Sequence, residues 1–423
     1  MKCNQPVRPL SLCRNISWSV LGNTIHSACQ WGILVVLAKC GTATMVGQFA
    51  FGLAITAPVY MFSNLQLRVV QATDARNEYA FGHYLGLRLL TVAASLLVLG
   101  FMSKTGGYSS GEIRVILWIA LAKGFESFSD IVFGLWQNHE RMNRVAISLL
   151  IKGPLSLLAV LWVLWITGSA AAVAAALAFT GIAVLLFYDL PGASRFAGIR
   201  PLFDRRVLRC LVAVSLPLGV VMMLISLNTN IPRYFIEHLL GAEQLGYFAA
   251  LTYIMVAGAV IVDALERSAG PRLAKYYADG YLKKFRLLLL QLVLTGFLLG
   301  LAGLGTVFLF GAEILTFLYQ PDYAAYTRLF ALIMVAAGLR YMASFFGCGL
   351  TAARCFRIQP LLHILIILVN IPACAVLIPA KGLEGAALVL IATAAIQFLG
   401  GCLINCLLLK RRSQKLEGRT LEG

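Results

Sequence analysis

Long apolar runs follow one another along almost the whole chain, with short polar segments between them. A run of about 20 mostly apolar residues is long enough to cross a bilayer as an α-helix. Gly, Pro and clusters of charge divide the sequence into twelve such runs, and we therefore predict an all-α integral membrane protein with about twelve spans. They lie at about 18–38, 45–67, 85–103, 113–136, 145–167, 169–190, 207–229, 244–265, 285–310, 325–351, 358–379 and 383–409.

The composition agrees with a membrane location. The chain of 423 residues is 60% hydrophobic and 13% charged, whereas soluble domains carry about 25% charged residues. Ten cysteines are scattered singly, without a CxxC pair, so they predict neither a metal site nor a disulfide framework. No cofactor is predicted.

The positive charge follows the topology that the runs define. Of the 35 Lys and Arg residues, twenty-five fall in segments on the side of the amino terminus. The other side holds only Lys39, Lys104, Arg114, Arg233 and Lys381. By the positive-inside rule both termini are cytoplasmic, and the net charge of +17 reflects orientation rather than binding of nucleic acid.

The loops between the runs restrict the function further. No outward loop exceeds about 15 residues, which leaves no room for an outer catalytic domain. The long inward loops, at about 190–206 and 266–284, lack a phosphate-binding glycine motif. An ATP-driven pump and a glycosyltransferase with a large outer loop are therefore disfavoured.

A short repeat suggests that the chain contains two related halves. The motif GxFA begins at Gly47 and again at Gly246, an offset of 199 residues that equals six predicted spans. Because six is even, the halves would have the same orientation. We predict an amino-terminal lobe at 1–190, a connecting loop at 191–206 and a carboxy-terminal lobe at 207–423, although small and aromatic residues also recur by chance.

Three charged residues interrupt the fourth run. Lys123, Glu126 and Asp130 share one helix face, where a central charge costs roughly 2.5–3.5 kcal/mol on insertion scales. Lys123 and Glu126 are spaced to pair within the helix. Two interpretations stay open: the residues line a substrate or ion path, or they neutralise one another and hold helices together.

Other runs also contain polar residues. Asn23, His26 and Gln30 form a neutral stripe on the first run, and their amide and imidazole groups suit sugar hydroxyls.

Cations occur alone in several other runs. Lys152 and Arg340 lie deep, with no carboxylate in their own runs. Arg88, like Arg328, lies near the end of a run and can snorkel or line a pathway, and Arg233 falls just outside the seventh run, at the outer mouth.

The deep charges are more positive than negative. Lys123, Lys152 and Arg340 outnumber Glu126 and Asp130, so a hydrated cavity between the lobes would be cationic. Such a cavity suits an anionic headgroup such as a pyrophosphate better than an organic cation.

Three stretches resemble bacterial Wzx-type polysaccharide flippases of the multidrug/oligosaccharidyl-lipid/polysaccharide exporter superfamily. They are residues 47–90 (GQFAFGLAITAPVY…), 123–158 (KGFESFSDIVFGLW…) and 228–277 (NTNIPRYFIEHLLG…), within a resemblance from about residue 15 to 410. The resemblance implies two six-helix lobes that form a V around a central cavity, which opens alternately to each side of a bacterial inner membrane.

The resemblance also implies a substrate. It would be a polyprenyl-pyrophosphate-linked oligosaccharide repeat unit, moved from the cytoplasmic to the periplasmic leaflet for O-antigen or capsule assembly. The implied energy source is a gradient of H⁺ or Na⁺, and a polysaccharide polymerase and a chain-length regulator are implied partners, beside membrane lipid.

Residue roles follow from this implication. Lys123, Lys152 and Arg340, with Arg88 and Arg233 toward the mouths, would attract the pyrophosphate. Asn23, His26 and Gln30 would bind sugar. Glu126 or Asp130 would carry a coupling ion or act only as counter-ions.

Other functions stay open. A drug or metabolite antiporter of the same superfamily would share fold and topology, and a polysaccharide polymerase or ligase would need outer loops longer than these. A pure scaffold gives no reason for the deep cations.

Overall fold

The computed structural model describes residues 11–74, 78–355 and 358–421. Four of the predicted inward cations, Lys2, Arg8, Arg76 and Arg357, lie outside these residues. The described part is built from α-helices and contains no strand. The helices are α1 (Leu12–Cys40), α2 (Ala43–Ser63), α3 (Leu67–Thr73), α4 (Phe81–Thr105), α5 (Ser110–Asn138), α6 (Met142–Thr167), α7 (Ala170–Val184), α8 (Leu190–Ala193), α9 (Arg205–Leu240), α10 (Ala242–Ala278), α11 (Leu282–Leu318), α12 (Thr327–Ala352) and α13 (Ile358–Leu421).

Ten helical segments in the described part are long and apolar enough to cross a membrane. The charged helix α5, which has 29 residues, is not one of them. The long helix α13 is interrupted at Gly382, where φ is +58°, between the eleventh and twelfth predicted spans. A left-handed φ of this kind favours glycine. The chain is a multi-pass membrane protein, and the count of twelve spans stays a prediction.

The chain divides into two compact units, Met1–Leu227 and Asn228–Gly423. The division falls inside α9, whereas the sequence placed it in the connection at 191–206. That connection is held against α4, because the Leu202 amide donates to the Gly82 carbonyl at 2.8 Å. The connection is therefore part of the first unit.

The core of the first unit gathers side chains from several helices around α5. Trp136 is fully buried and packs against Phe133 and Tyr188, with ring centroids 6.0 and 5.9 Å apart. Tyr84 of α4 and Leu211 of α9 belong to the same cluster. These contacts fix α5, and with it the charged stripe, relative to its neighbours.

The second unit is held by small residues and by tyrosines that bind backbone. A Cβ on Gly300 would lie 2.5 Å from the Gly338 Cα, so α11 and α12 pack backbone to backbone. The Tyr341 hydroxyl donates to the Met255 carbonyl at 2.6 Å, and the Tyr319 hydroxyl donates to the Ala250 carbonyl at 2.9 Å. The first bond joins α12 to α10, and the second joins the end of α11 to α10.

The helix starts repeat the offset seen in the sequence. Helix α2 begins at Ala43 and α10 begins at Ala242, which are also 199 residues apart. Large apolar side chains face outward in both units, including Trp165 at 86% exposure and Phe308 at 76%. Such a surface is suited to lipid rather than water.

Candidate functional site

The charged face of α5 lines a cavity of about 480 Å³ in the first unit. Lys123 Nζ lies 2.8 Å from Glu126 Oε2, so the predicted pair within the helix is confirmed. Both side chains are partly exposed, at 38% and 44%, and reach the cavity. Other polar residues on its wall are Tyr60, Asn64, Gln66, Arg68, Ser127, Asp130 and Gln137.

Asp130 does not join the Lys123–Glu126 pair but binds two arginines. Its Oδ1 lies 3.4 Å from Arg68 Nη1, and its Oδ2 lies 3.7 Å from Arg88 Nη2. Arg68 also donates to Gln137 Oε1 at 3.2 Å. Asp130 and its two arginines together therefore carry a net charge of one positive unit.

Arg88 is placed differently from a residue at the mouth of a pathway. Its side chain is 0% exposed, and it donates a short hydrogen bond to Asn64 in addition to its contact with Asp130. It lies behind the wall of the cavity rather than among the lining residues. Its contribution to substrate binding stays a prediction, and its contact with Asp130 is one that the sequence did not predict.

Arg68 was missed as a site residue because it looked like an ordinary inward-loop cation. The second predicted span runs to residue 67, but α2 ends at Ser63. Leu65 and Gln66 then take left-handed φ values of 50° and 51°, which are uncommon for residues other than glycine. This turn brings Asn64 and Arg68 to the same cavity wall. The polar sequence SNLQLR was the signal for the break.

Lys152 and His26 belong to α6 and α1, which pack against each other. Lys152 of α6 is buried, with 8% exposure, and its charge acts on both Glu126 and His26. Helices α1 and α6 approach closely here, since a Cβ on Gly153 would lie 3.3 Å from the His26 Cα. The structure thus places His26, Lys152, Glu126 and Lys123 within electrostatic range of one another.

The remaining residues of the predicted neutral stripe on α1 are exposed. Asn23 donates to the Ser19 carbonyl of its own helix at 2.7 Å. Gln30 is also exposed. Their contact with sugar stays a prediction.

A second cavity, of about 310 Å³, lies within the second unit. Arg233 of α9 and Arg340 of α12 both line it, and the charges of the two arginines act on each other. Arg233 is inside α9, bonded to Asn230 Oδ1 at 3.2 Å and stacked over Tyr253 at 5.9 Å. Asp263 is on the cavity wall as well.

The two arginines have neutral rather than acidic close partners. Arg340 Nη2 lies 3.4 Å from the Thr229 hydroxyl. Among the described residues, no ion pair within 4.0 Å involves Arg233 or Arg340. Their donors can therefore serve an anionic ligand, and guanidinium groups match phosphate oxygens in bidentate geometry.

The two cavities differ in how their positive charge is held. On the wall of the first cavity Glu126 and Asp130 are each paired with a cation, whereas two arginines and one aspartate line the second cavity. Within the described ranges no group of three His, Cys, Asp or Glu residues could hold a metal ion. Both cavities are suited to anions and to hydroxyl-rich groups.

Comparisons with known proteins agree with this architecture. A family model described as "Polysaccharide biosynthesis protein" matches residues 12–277. The capsular polysaccharide biosynthesis protein CapF of Staphylococcus aureus is 26% identical over 387 residues, which are 89% of this chain and 95% of that protein.

Solved membrane transporters share the fold over nearly the whole chain. The lipid II flippase MurJ, in an inward closed conformation, matches with a TM-score of 0.73 at 12% identity, covering 96% of this chain and 100% of that one. The inward-facing conformation of a multidrug resistance MATE family transporter of the MOP superfamily matches with a TM-score of 0.67 at 12% identity, covering 93% and 99%. The predicted all-α membrane fold is confirmed, and it is the fold of these transporters.

Proposed function

The chain belongs to the polysaccharide biosynthesis protein family, and from that premise we propose that it is a flippase for lipid-linked sugars. It would move polyprenyl-pyrophosphate-linked oligosaccharide repeat units from the cytoplasmic to the periplasmic leaflet of a bacterial inner membrane. The product would serve assembly of a surface polysaccharide, either O-antigen or capsule. In this role the chain is a transporter and not an enzyme.

The observation that carries the proposal is the presence of cationic cavities in a chain of this family. Arg233 and Arg340 line a cavity without an ion pair among the described residues, and Lys123 and Arg68 line another. A membrane helix keeps such charges only where they face water, protein or a polar ligand. A pyrophosphate supplies the anion, and a sugar supplies hydroxyls for Asn, Gln and Tyr side chains.

The physical task of the protein is then to replace water around the headgroup. The prenyl chain stays in lipid, since its transfer into a polar cavity would be unfavourable. The pyrophosphate exchanges hydration for guanidinium and ammonium donors, which Lys123 offers in the cavity of the first unit and Arg233 and Arg340 offer in the cavity of the second. Release on the other side requires these contacts to be weak enough to break.

Three further features belong to the proposal. The charge asymmetry of the loops supports cytoplasmic termini. A gradient of H⁺ or Na⁺ would supply the energy. A polysaccharide polymerase and a chain-length regulator would act on the translocated unit.

The test is made in cells that lack the protein. We expect loss of surface polysaccharide, together with accumulation of single lipid-linked repeat units that an impermeant probe, such as a lectin added outside, cannot reach. Cells complemented with the intact chain should recover both. Accumulated units that are accessible from outside would contradict the proposal and point to a polymerase or ligase.

The same cells separate the flippase from a drug antiporter. The similarity to a MATE transporter concerns the fold, so it leaves this alternative to experiment. Loss of a drug exporter would sensitise cells to cationic dyes and leave the glycan unchanged. We expect the opposite pattern.

A further inference from the structure

Asp189 is a fully buried carboxylate in the first unit, distant in sequence from the charged face of α5. Its exposure is 0%. It lies near the end of the sixth predicted span, in LLFYDLPG. It was not predicted as a site residue because it stands at the end of an apolar run. It belongs to neither cavity wall described above.

Asp189 ends a widened helical turn that has a local cause. Pro191 has no amide N–H to donate to the Phe187 carbonyl, and its ring crowds that carbonyl. The helix responds with a π-helical turn at Leu185–Asp189, in which the Leu190 amide donates to the Leu185 carbonyl. Such turns insert an extra residue into a helix and recur at functional sites. Here the turn carries Asp189 toward α5 and α6.

The polar neighbours of Asp189 are two serine hydroxyls. Ser148 of α6 donates to Asp189 Oδ1 at 2.7 Å. Ser129 of α5 contributes a second hydrogen-bonding hydroxyl to the same carboxylate, and both Ser129 Oγ and Asp189 Oδ2 are buried. A serine hydroxyl can donate to a carboxylate and can also accept from a carboxylic acid, so the two serines can serve both protonation states of Asp189.

Lys152 connects Asp189 with the first cavity. Its buried charge acts on Asp189 and also on Glu126, which lines the cavity and pairs with Lys123. The other charged or titratable groups that act on this turn are Arg144 of α6 and Tyr188 of the turn itself, while α5 contributes the neutral Ser129. The charge of Lys152 thus acts on two carboxylates, one buried and one facing the cavity.

Glu126 and Asp130 are less suited to bind and release a proton. Glu126 holds Lys123 at 2.8 Å, and Asp130 holds Arg68 and Arg88. Protonation of either would break an existing ion pair. Among the described residues no ion pair within 4.0 Å involves Asp189, so its protonation breaks none, and the neutral acid can donate to a serine Oγ.

We infer that Asp189 is the proton-binding site of this transporter and that Lys152 transmits its state to the cavity. Asp189 Oδ2 takes up one proton, and the neutral acid donates to Ser129 Oγ, which leaves Lys152 to interact with Glu126. When the proton leaves, the carboxylate attracts Lys152, and the positive charge at the cavity falls. Because Asp189 is buried, proton exchange requires the surrounding helices to separate, which links it to a change of conformation.

The binding part of this inference is tested without any substrate. Purified protein is moved between acidic and alkaline buffers, and the infrared difference spectrum is recorded in the region of the carboxylic acid carbonyl. We expect a band that disappears in Asp189→Asn and shifts in Ser129→Ala, where the acid loses its acceptor. Asp322→Asn, which changes an exposed carboxylate outside both cavities, is the matched control.

Asp189→Asn is suited to this test because it is nearly isosteric. The amide oxygen can accept from Ser148 and the amide nitrogen can donate to Ser129, so the fold should be preserved. A band that survives in Asp189→Asn but disappears in Glu126→Gln or Asp130→Asn would overturn the inference. An infrared band that changes when Na⁺ is added at constant pH, but not when the pH is changed in K⁺ buffer, would also overturn the inference.

The coupling part rests on the proposed function and is read separately. Transport of lipid-linked oligosaccharide by Asp189→Asn should lose its dependence on a proton gradient, and Lys152→Met should do the same while keeping the Asp189 infrared band. Unchanged gradient dependence in both variants would remove the coupling role. If the intact chain moves no oligosaccharide, the proposed function fails. The proton site is then still tested by the infrared difference spectrum, which does not depend on transport.

Discussion

The contacts of each deep charged residue determine whether its side chain can bind a ligand. Arg88 is buried and bound on two sides, so its guanidinium fixes α4 against α5. Arg340 and Arg233 face a cavity, and their donors point to open space as well as to neutral oxygens. Burial therefore distinguishes Arg88, whose contacts are with protein, from Arg233 and Arg340, which line a cavity.

We expect Asp130→Ala to destabilise the protein more than Arg88→Leu does. Removing Asp130 leaves the fully buried Arg88 with Asn64 alone, and an uncompensated buried charge costs roughly 3–5 kcal/mol. Removing Arg88 leaves Asp130 with Arg68. Thermal unfolding of the purified variants measures the difference, and a larger loss in Arg88→Leu would show that Arg88 is not held by Asp130.

We expect Arg340→Ala to impair translocation, whereas Arg328→Ala should not. Both residues are on α12, but Arg328 is 82% exposed and pairs with Glu384. Loss of a charge-assisted contact corresponds to roughly 10- to 100-fold weaker binding of an anionic headgroup. The pool of lipid-linked precursor in complemented cells is the measurement. Equal effects of the two variants would argue against an anion site at Arg340.

Contacts between charged residues could be predicted from the sequence where both partners lie on one helix. The pair of Lys123 and Glu126 follows from helical spacing alone. The partners of Asp130 come from α3 and α4, and no spacing within a single run could reveal them. Asp189 was missed because its environment depends on a π-helical turn and on serines from two other helices.

Close helix contacts, rather than apolar surface alone, set the positions of the elements. A Cβ on Gly22 would lie 2.6 Å from the Ala146 Cα, so α1 and α6 pack with almost no side chain between them. Small residues serve the same purpose in many membrane proteins, where lipid is as apolar as leucine.

We expect Gly22→Ala to lower stability by about 1–3 kcal/mol, because the added methyl pushes α1 away from α6. Gly100→Ala in α4 is the control, since a Cβ there meets nothing within 4 Å. Alanine is the better helix former, so this control should be neutral or slightly stabilising. Thermal unfolding separates the two cases, and an equal loss in the control would refute the packing argument.

Helix ends were harder to predict from hydropathy than helix existence. The eighth predicted run covers 244–265, but α10 continues to Ala278. An apolar run reports only the part of a helix that meets lipid, and a helix can continue into water with polar residues. The opposite error occurred after Ser63, where the predicted run was extended to residue 67 across a turn.

At the scale of the molecule, the alternation of basic and non-basic loops predicts which side each loop occupies. We expect single cysteines at Thr105 and Ser194, in an otherwise cysteine-free chain, to differ in labelling by an impermeant maleimide added outside. The first should react in intact cells, and the second only after the membrane is opened. Reversed labelling would contradict cytoplasmic termini.

The fold class could be predicted because twelve apolar runs and a loop charge bias are properties of the whole chain. The predicted lobes with a connection at 191–206 stay a prediction, and the boundary of the compact units inside α9 depends on contacts between helices that the sequence does not show. The cavities depend on the three-dimensional packing of residues such as Arg68 and Arg233, which are far apart in sequence from their neighbours in space.

Translocation itself is the most direct test. Purified protein is reconstituted into vesicles that contain a polyprenyl-pyrophosphate-linked oligosaccharide only in the inner leaflet, and an impermeant glycosidase is added outside. We predict that the intact chain makes the oligosaccharide cleavable over time, that Arg340→Ala slows this markedly, and that Arg328→Ala does not. If the oligosaccharide stays protected in vesicles with correctly folded protein and an imposed proton gradient, the chain is not its flippase.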